Sequence, residues 1–462
     1  MMIMRPQALF APCWSGAWEL VMCWDDGRGQ AECPRCYWRT PQARVTHTRQ
    51  KASSRACTFM SPASNDPYDP LLRAAERALA QTWGHAVRLG PGTRLTAPGR
   101  RNLILRCPVL AGRGPTSLIV KQVHSEAASL HQADAWDVQR FVCDWAGAQF
   151  LSTVQDQAPH SPRFYGGDRE AGFILLEDLG AHASLVEPLL HGKEADAVQA
   201  LLGYAARLGA LHADTIGQEA GFTRLWQTLT PQPVSVAHDV KRLTAQIVLL
   251  QRHVERLGAR VEPAFLEEVA TTLIALHTPG PFWAYLHGDP CPDNVVYTGT
   301  QVRLIDFECG HFGHALCDGT YGRMLFPTCW CANRLPATVV AQMETVYRAA
   351  LVPGCPAAAD DRLFEDALVD ACGYWMLRTL VQHLPQALAE DGHWGIAPIR
   401  SRLVSRLEAF ITTAEAYHRR PAMRGAAHRV LEVLRRRWLA TPPLALYPAF
   451  RQGAHRQPEI TS

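Results

Sequence analysis

The amino-acid sequence predicts an α+β fold, a small antiparallel β-rich part followed by a larger, mainly helical part. Three patterns lead to this reading. Between residues 87 and 123, short runs of leucine and β-branched residues are bounded by Gly, Pro and Asn, as in consecutive antiparallel strands. Beyond residue 185, Leu, Val, Ile and Ala recur at i, i+3 and i+4, the spacing of one helix face. A strand-like island over residues 282–305 interrupts that helical pattern.

Order begins at Asp69, which can cap a helix that has Pro70 at its first position, Leu72, Ala75 and Leu79 on one face and Gly84 as its stop. Strands are expected over 87–95, 103–107 and 118–123, the first two joined by a turn that contains Gly99, Arg100 and Arg101. A helix is expected over 134–152, with Val138, Phe141, Trp145 and Ala148 sharing a face. The apolar run 173–176 reads as a buried strand that leaves through the polar segment Glu177-Asp178-Leu179-Gly180. Helical spacing marks 195–213, 238–256 and 263–277, then returns from 361 to 440.

Composition narrows the function. The 462 residues are 47% hydrophobic and 19% charged, which suits one large or two modest globular domains. A net charge of +3 gives no strong attraction to nucleic acid or a membrane surface, so neither partner is expected. No apolar run is long enough to cross a bilayer. Fourteen cysteines at irregular spacing fit reduced thiols in a cytoplasmic setting. Residues 1–65 stand apart, with no sustained period and a basic excess. They read as an extension outside the folded part, with Met60 as an alternative start. Cys33-Pro34-Arg35-Cys36 within it is a lone pair of thiols without two clear further ligands.

The densest chemical signal is Leu286-His287-Gly288-Asp289-Pro290-Cys291-Pro292-Asp293-Asn294. Two short apolar runs follow, expected to pair as a hairpin that delivers Asp306-Phe307-Glu308. Phosphoryl transfer needs a carboxylate beside the attacking hydroxyl and oxygen ligands for Mg²⁺ on the ATP phosphates. An Asp–Asn loop tied by a hairpin to a second Asp puts three such groups around one point. Asp289 is the candidate catalytic carboxylate; Asn294 and Asp306 are the candidate metal ligands. Upstream, Lys121 ends an apolar strand, where an ammonium needs a partner. Asp144, beside the apolar face of the next helix, is favoured over Asp137 and Asp134.

Together with Leu175 to Gly180 and Leu211-His212, these residues resemble the aminoglycoside phosphotransferase and choline kinase-like superfamily. The resemblance covers about residues 68 to 330. It implies a protein-kinase-like fold of two lobes: 66–180 as the ATP-binding lobe and 181–462 as the helical lobe, with catalytic loop 286–308. It further implies that Lys121, paired with Asp144, clamps the α and β phosphates. The Gly99 turn would cover the phosphates, and the backbone at Glu177, Asp178 and Leu179 would meet the adenine. Asp144 stands where protein kinases carry Glu. ATP, Mg²⁺ and a small hydroxylated substrate are the implied partners.

Two functions stay open at this point: an ATP-dependent kinase of a small alcohol, amino alcohol or sugar-like compound, and a non-catalytic kinase-like nucleotide-binding protein. Three other patterns weigh less. His311 and His314 with His287 could hold zinc, but loop histidines beside a hairpin read as structural. The acidic cluster of Asp360, Asp361, Glu365, Asp366 and Asp370 reads as a solvated helix face. Arg100 or Arg101 could touch phosphate, but solvated surface is the favoured reading for both.

Overall fold

The computed structural model describes residues 67–97, 100–123, 135–154, 159–181, 183–231, 237–259, 261–297 and 301–451. The 1–65 extension with its C-x-x-C, Asp134 and Gly99 therefore lie outside the described residues. Residues 64–462 form one compact unit.

The small lobe opens with helix α1 (Asp69–Trp83), which ends on Gly84 in the left-handed conformation. Its strands are β1 (Arg88–Leu89), β2 (Thr93–Arg94), β3 (Asn102–Ala111) and β4 (Ser117–Val123), then β5 (Phe164–Asp168) and β6 (Phe173–Glu177). They form an antiparallel sheet in the order β1-β3-β4-β6-β5, with β2 also on β3. The expected strand over 87–95 is thus two short pieces; β1 pairs with the C-terminal end of β3 and β2 with its middle. Successive side chains on a strand face opposite ways. Leu118 and Val120 of β4 pack with Leu103, Leu105, Phe173 and Leu175 beneath Leu72, Ala75 and Leu79 of α1. Lys121 alternates to the other face, flanked across the ladder by Ile104 and Ile174. Helix α2 (Ala135–Val154) follows β4, as its apolar face requires.

The large lobe holds β7 (Ala183–Ser184), α3 (Val186–Leu190), α4 (Glu194–Thr215), α5 (Glu219–Leu229), α6 (Ala237–Arg256) and α7 (Pro263–His277). Next come β8 (Trp283–Leu286), β9 (Val295–Tyr297), β10 (Val302–Leu304), β11 (His311–His314) and α8 (Leu316–Gly319). The chain ends in α9 (Ala337–Leu351), α10 (Asp361–Ala389), α11 (Ile399–Ala416) and α12 (Pro421–Arg437). Helix α4 packs along α9, and α10 packs on α7 and α11. The expected hairpin is the β9–β10 pair, with Leu304 opposite Val295. The architecture is therefore the two-lobed α+β one that the sequence predicts. None of the described helices is long and apolar enough to cross a membrane.

The acidic cluster is only partly a solvated face. Asp370 is buried in a bidentate pair with Arg420, and Asp366 pairs with Arg419. Asp360 accepts from Leu363 N at 3.0 Å and caps α10.

A buried histidine ties this lobe's stability to pH. His314 lies in β11 against Phe282, and its Nδ1 accepts from Leu316 N at 3.3 Å. Burial first, then His212 and His277 nearby, push its pKa down from 6.5 to about 3. The unfolded chain then binds a proton below pH 6.5 that the folded chain refuses, so stability falls as pH drops from 6.5 towards 3. The His314 contribution is on the order of 5 kcal/mol at about 1.4 kcal/mol per pH unit. His314→Asn keeps an acceptor for Leu316 and does not titrate. Its denaturant unfolding midpoint should fall less steeply between pH 7 and pH 4 than that of the parent; equal slopes would contradict the assignment.

Candidate active site

Lys121 is 9% exposed. Its Nζ lies 2.7 Å from Asp144 Oδ2 on α2 and 2.5 Å from Asp306 Oδ1 after β10. Burial disfavours the ammonium, but the two carboxylates outweigh it and hold the lysine well above its usual range. Burial pushes the Asp306 carboxyl up as well, yet Lys121 reverses that and leaves it below the usual range. Asp144 is raised by burial against the pull of Lys121. Its other oxygen accepts from Phe307 N at 2.9 Å, so one aspartate fixes both the strand lysine and the segment carrying Asp306. Asp137 lines the same pocket.

Asp306 has φ 69, a left-handed conformation uncommon outside glycine. Lys121 takes one carboxylate oxygen, and the other accepts no hydrogen bond from the described residues. Asn294 sits at the far end of the same hairpin, where its carbonyl receives Ile305 N at 2.9 Å. Its Nδ2 donates to Asp289 O at 3.0 Å, which leaves the side-chain Oδ1 as its remaining donor atom for a cation. Asp289 Oδ1 accepts from Thr328 Oγ1 and, at 2.9 Å, from Cys291 Sγ. Its Oδ2 accepts from none of the described groups.

The backbone under Asp289 is held from below. Buried Asp318 on α8 accepts from His287 N at 2.7 Å and Gly288 N at 3.3 Å. Gly288 has φ 76, and a Cβ there would lie 2.2 Å from Cys309 O, so no other residue fits. His287 Nε2 bonds Ile305 O at 2.9 Å and its ring packs on Phe307. His311 Nδ1 bonds Cys309 O and His314 Nδ1 serves Leu316, so these histidines brace backbone and do not converge on a metal. Asp318→Ala would strip two loop amides of their acceptor. The expected loss is roughly 1–3 kcal/mol for each amide left unmet, read as a lower unfolding midpoint in denaturant. An unchanged midpoint would show that water replaces the carboxylate freely.

Sequence reading missed three parts of this site. Arg101 is not solvated surface: with Arg140 of α2 it binds Glu308 beside the Lys121 pocket. Thr328 lies in a loop without periodicity. Asp318 had a signal, an acid ending the apolar run Ala315-Leu316-Cys317, which is the argument already applied to Lys121. At the junction of the lobes, the Asp178 carboxylate is occupied by Arg106 at 2.8 and 3.0 Å and by Ser117 at 2.7 Å. That side chain ties the connection to β3 and β4 and is not free for a ligand.

A β-rich lobe, a connecting segment and a helical lobe, with Lys121, Asp289, Asn294 and Asp306 in this order, define a kinase-like phosphotransferase fold. The phosphotransferase enzyme family model matches residues 109–350, and the chain belongs to that family. Among solved structures, it is similar to a choline kinase from Cryptosporidium parvum Iowa II at 10% identity and TM-score 0.40, covering 70% of this chain and 89% of that one. A choline/ethanolamine kinase family protein from Mesorhizobium loti aligns at 18% identity and TM-score 0.37, over 74% and 93% of the two chains. A macrolide 2'-phosphotransferase from Brachybacterium faecium aligns at 16% identity and TM-score 0.36, over 69% and 93%. No curated protein sequence matches the chain.

Proposed function

We propose that this chain transfers the γ-phosphoryl group of ATP to a hydroxyl of a small molecule with Mg²⁺ as cofactor. The observation that carries this is the Lys121 ammonium held between Asp144 and Asp306, one hairpin away from Asn294 and Asp289. Lys121 is charged and immobile there, as a clamp on the α and β phosphates must be. The donor set fits Mg²⁺: Asn294 Oδ1 and the second oxygen of Asp306 are hard oxygens, and two such ligands suffice beside phosphate oxygens and water. When bound, Mg²⁺ neutralises charge that builds on the phosphates. Asp289 offers Oδ2 to the acceptor hydroxyl, while Thr328 and Cys291 hold Oδ1 and fix its direction. Arg101 and Arg140, paired with Glu308 at the pocket wall, are the further cations available to phosphate oxygens.

ADP release from Mg-ATP, measured across a panel of hydroxylated metabolites and antibiotics, tests this. Release that depends on both an acceptor and Mg²⁺ is the expected result. Nucleotide binding without acceptor-dependent release would make the chain a kinase-like nucleotide-binding protein instead.

A further inference from the structure

Three thiols and a carboxylate gather where the Asp289 loop meets the segment before α9. Cys291 Sγ, an Asp293 carboxylate oxygen and Cys329 Sγ lie within 4.8 Å of one another. Cys331 Sγ is 3.0 Å from Cys329 Sγ. All three cysteines are buried and free. Trp330 Nε1 donates to Asp293 Oδ2 at 2.9 Å and leaves Oδ1 towards Cys329. Neither thiols nor a carboxylate gain from being crowded together in a buried place, so the arrangement asks for a cation.

The surroundings point the same way. Arg402 and Arg406 of α11 are each 1% exposed, and neither pairs with a carboxylate among the described residues. Their Nε atoms have no hydrogen-bond partner. Arg402 donates to Cys329 O and Trp330 O, both at 2.8 Å, so its charge lies against the segment carrying two of the thiols. Buried guanidiniums without a counter-ion are costly. A dication held by the thiolates of Cys291 and Cys329 and the Asp293 carboxylate keeps a net negative charge, which gives these arginines a counter-charge.

We propose that Cys291, Cys329 and Asp293, with the Cys331 thiol against Cys329, bind a thiophilic divalent cation of the Zn²⁺ class, at a site separate from Asn294 and Asp306. Sulfur ligands select such an ion over Mg²⁺. Each thiol that becomes a ligand releases its proton to solvent, and no electron moves. Cys291 Sγ also donates to Asp289 Oδ1, so occupancy removes that donor and sets the cation beside the loop. The site does not depend on the phosphotransfer reading, and its test reads binding alone.

Cd²⁺ titrated into the reduced, chelator-treated full chain should produce thiolate-to-metal charge-transfer absorption that saturates at one equivalent. The band should vanish in Cys329→Ser and weaken in Cys331→Ser and Cys291→Ser. It should persist in Cys372→Ala, whose thiol lies in α10 away from the cluster. Absence of the band, or its survival in Cys329→Ser, would overturn the proposal. Because serine variants can fail to fold, X-ray absorption on the unaltered protein with one equivalent of Zn²⁺ gives a second readout. A shell with two or three sulfurs at about 2.3 Å supports the site, and a shell of nitrogen and oxygen alone refutes it.

Discussion

Asp289→Asn is expected to lower turnover by a factor on the order of 10² or more, the range for a positioned acid or base, while ATP affinity stays nearly unchanged. The variant is close to isosteric. Its amide oxygen can still accept from Thr328 and Cys291, so the loop keeps its anchors. What changes is the second position, where a carboxylate oxygen free to receive or orient a hydroxyl proton becomes an amide. A hundredfold loss corresponds to about 2.7 kcal/mol of transition-state stabilisation. Initial rates across acceptor concentrations, with nucleotide affinity measured separately, check the assignment. Near-normal turnover in the folded variant would remove Asp289 from the chemistry. A parallel collapse of nucleotide affinity would mean that the loop itself had moved.

Asp306→Ala is expected to abolish the part of ATP-induced thermal stabilisation that depends on Mg²⁺ while metal-free ATP binding survives. A ligand that binds only the folded state raises its stability by mass action, so the Mg²⁺ increment reports on the metal alone. The fold should tolerate the change, because Lys121 keeps Asp144 at 2.7 Å and is not left as an unpaired buried charge. Asp306 already sits at φ 69, a conformation alanine tolerates less well than aspartate, so the ligand-free melting temperature sets the baseline for each variant. Retention of the full increment would place the metal elsewhere. Asp293 and Glu308 would be the next ligands to test.

Much of this site is written in short-range pattern. Val295-Val296-Tyr297 and Val302-Arg303-Leu304 alternate around a Thr-Gly turn, and local turn chemistry is enough to pair them. That pairing alone brings Asn294 beside the residue before Asp306. The apolar run before Lys121 likewise dictates a buried strand, and an ammonium at its end requires a partner. The helices of the second half were legible for the same reason, since a 3.6-residue period needs no distant information. The strand β5, which carries two glycines, was not legible, and α9 was not anticipated although Val339, Met343, Tyr347 and Leu351 recur every four residues on its buried face.

The sequence by itself therefore determined the lobes in outline and the order Lys121, Asp289, Asn294, Asp306, because each rests on alternation, helical period or turn residues within a few positions. Tertiary packing decided the rest. Asp137 and Asp144 lie two turns apart on the same face of α2, and only the point at which that helix crosses β4 puts Asp144 on Lys121. Arg101 and Glu308, 207 residues apart, meet because the lobes close on each other. Asp318 reaches the His287 amide from 31 residues away, and Thr328 reaches Asp289 from 39. Arg402 finds the Cys329 carbonyl across 73 residues. No local period encodes such meetings; they follow from which faces the helices bury against one another.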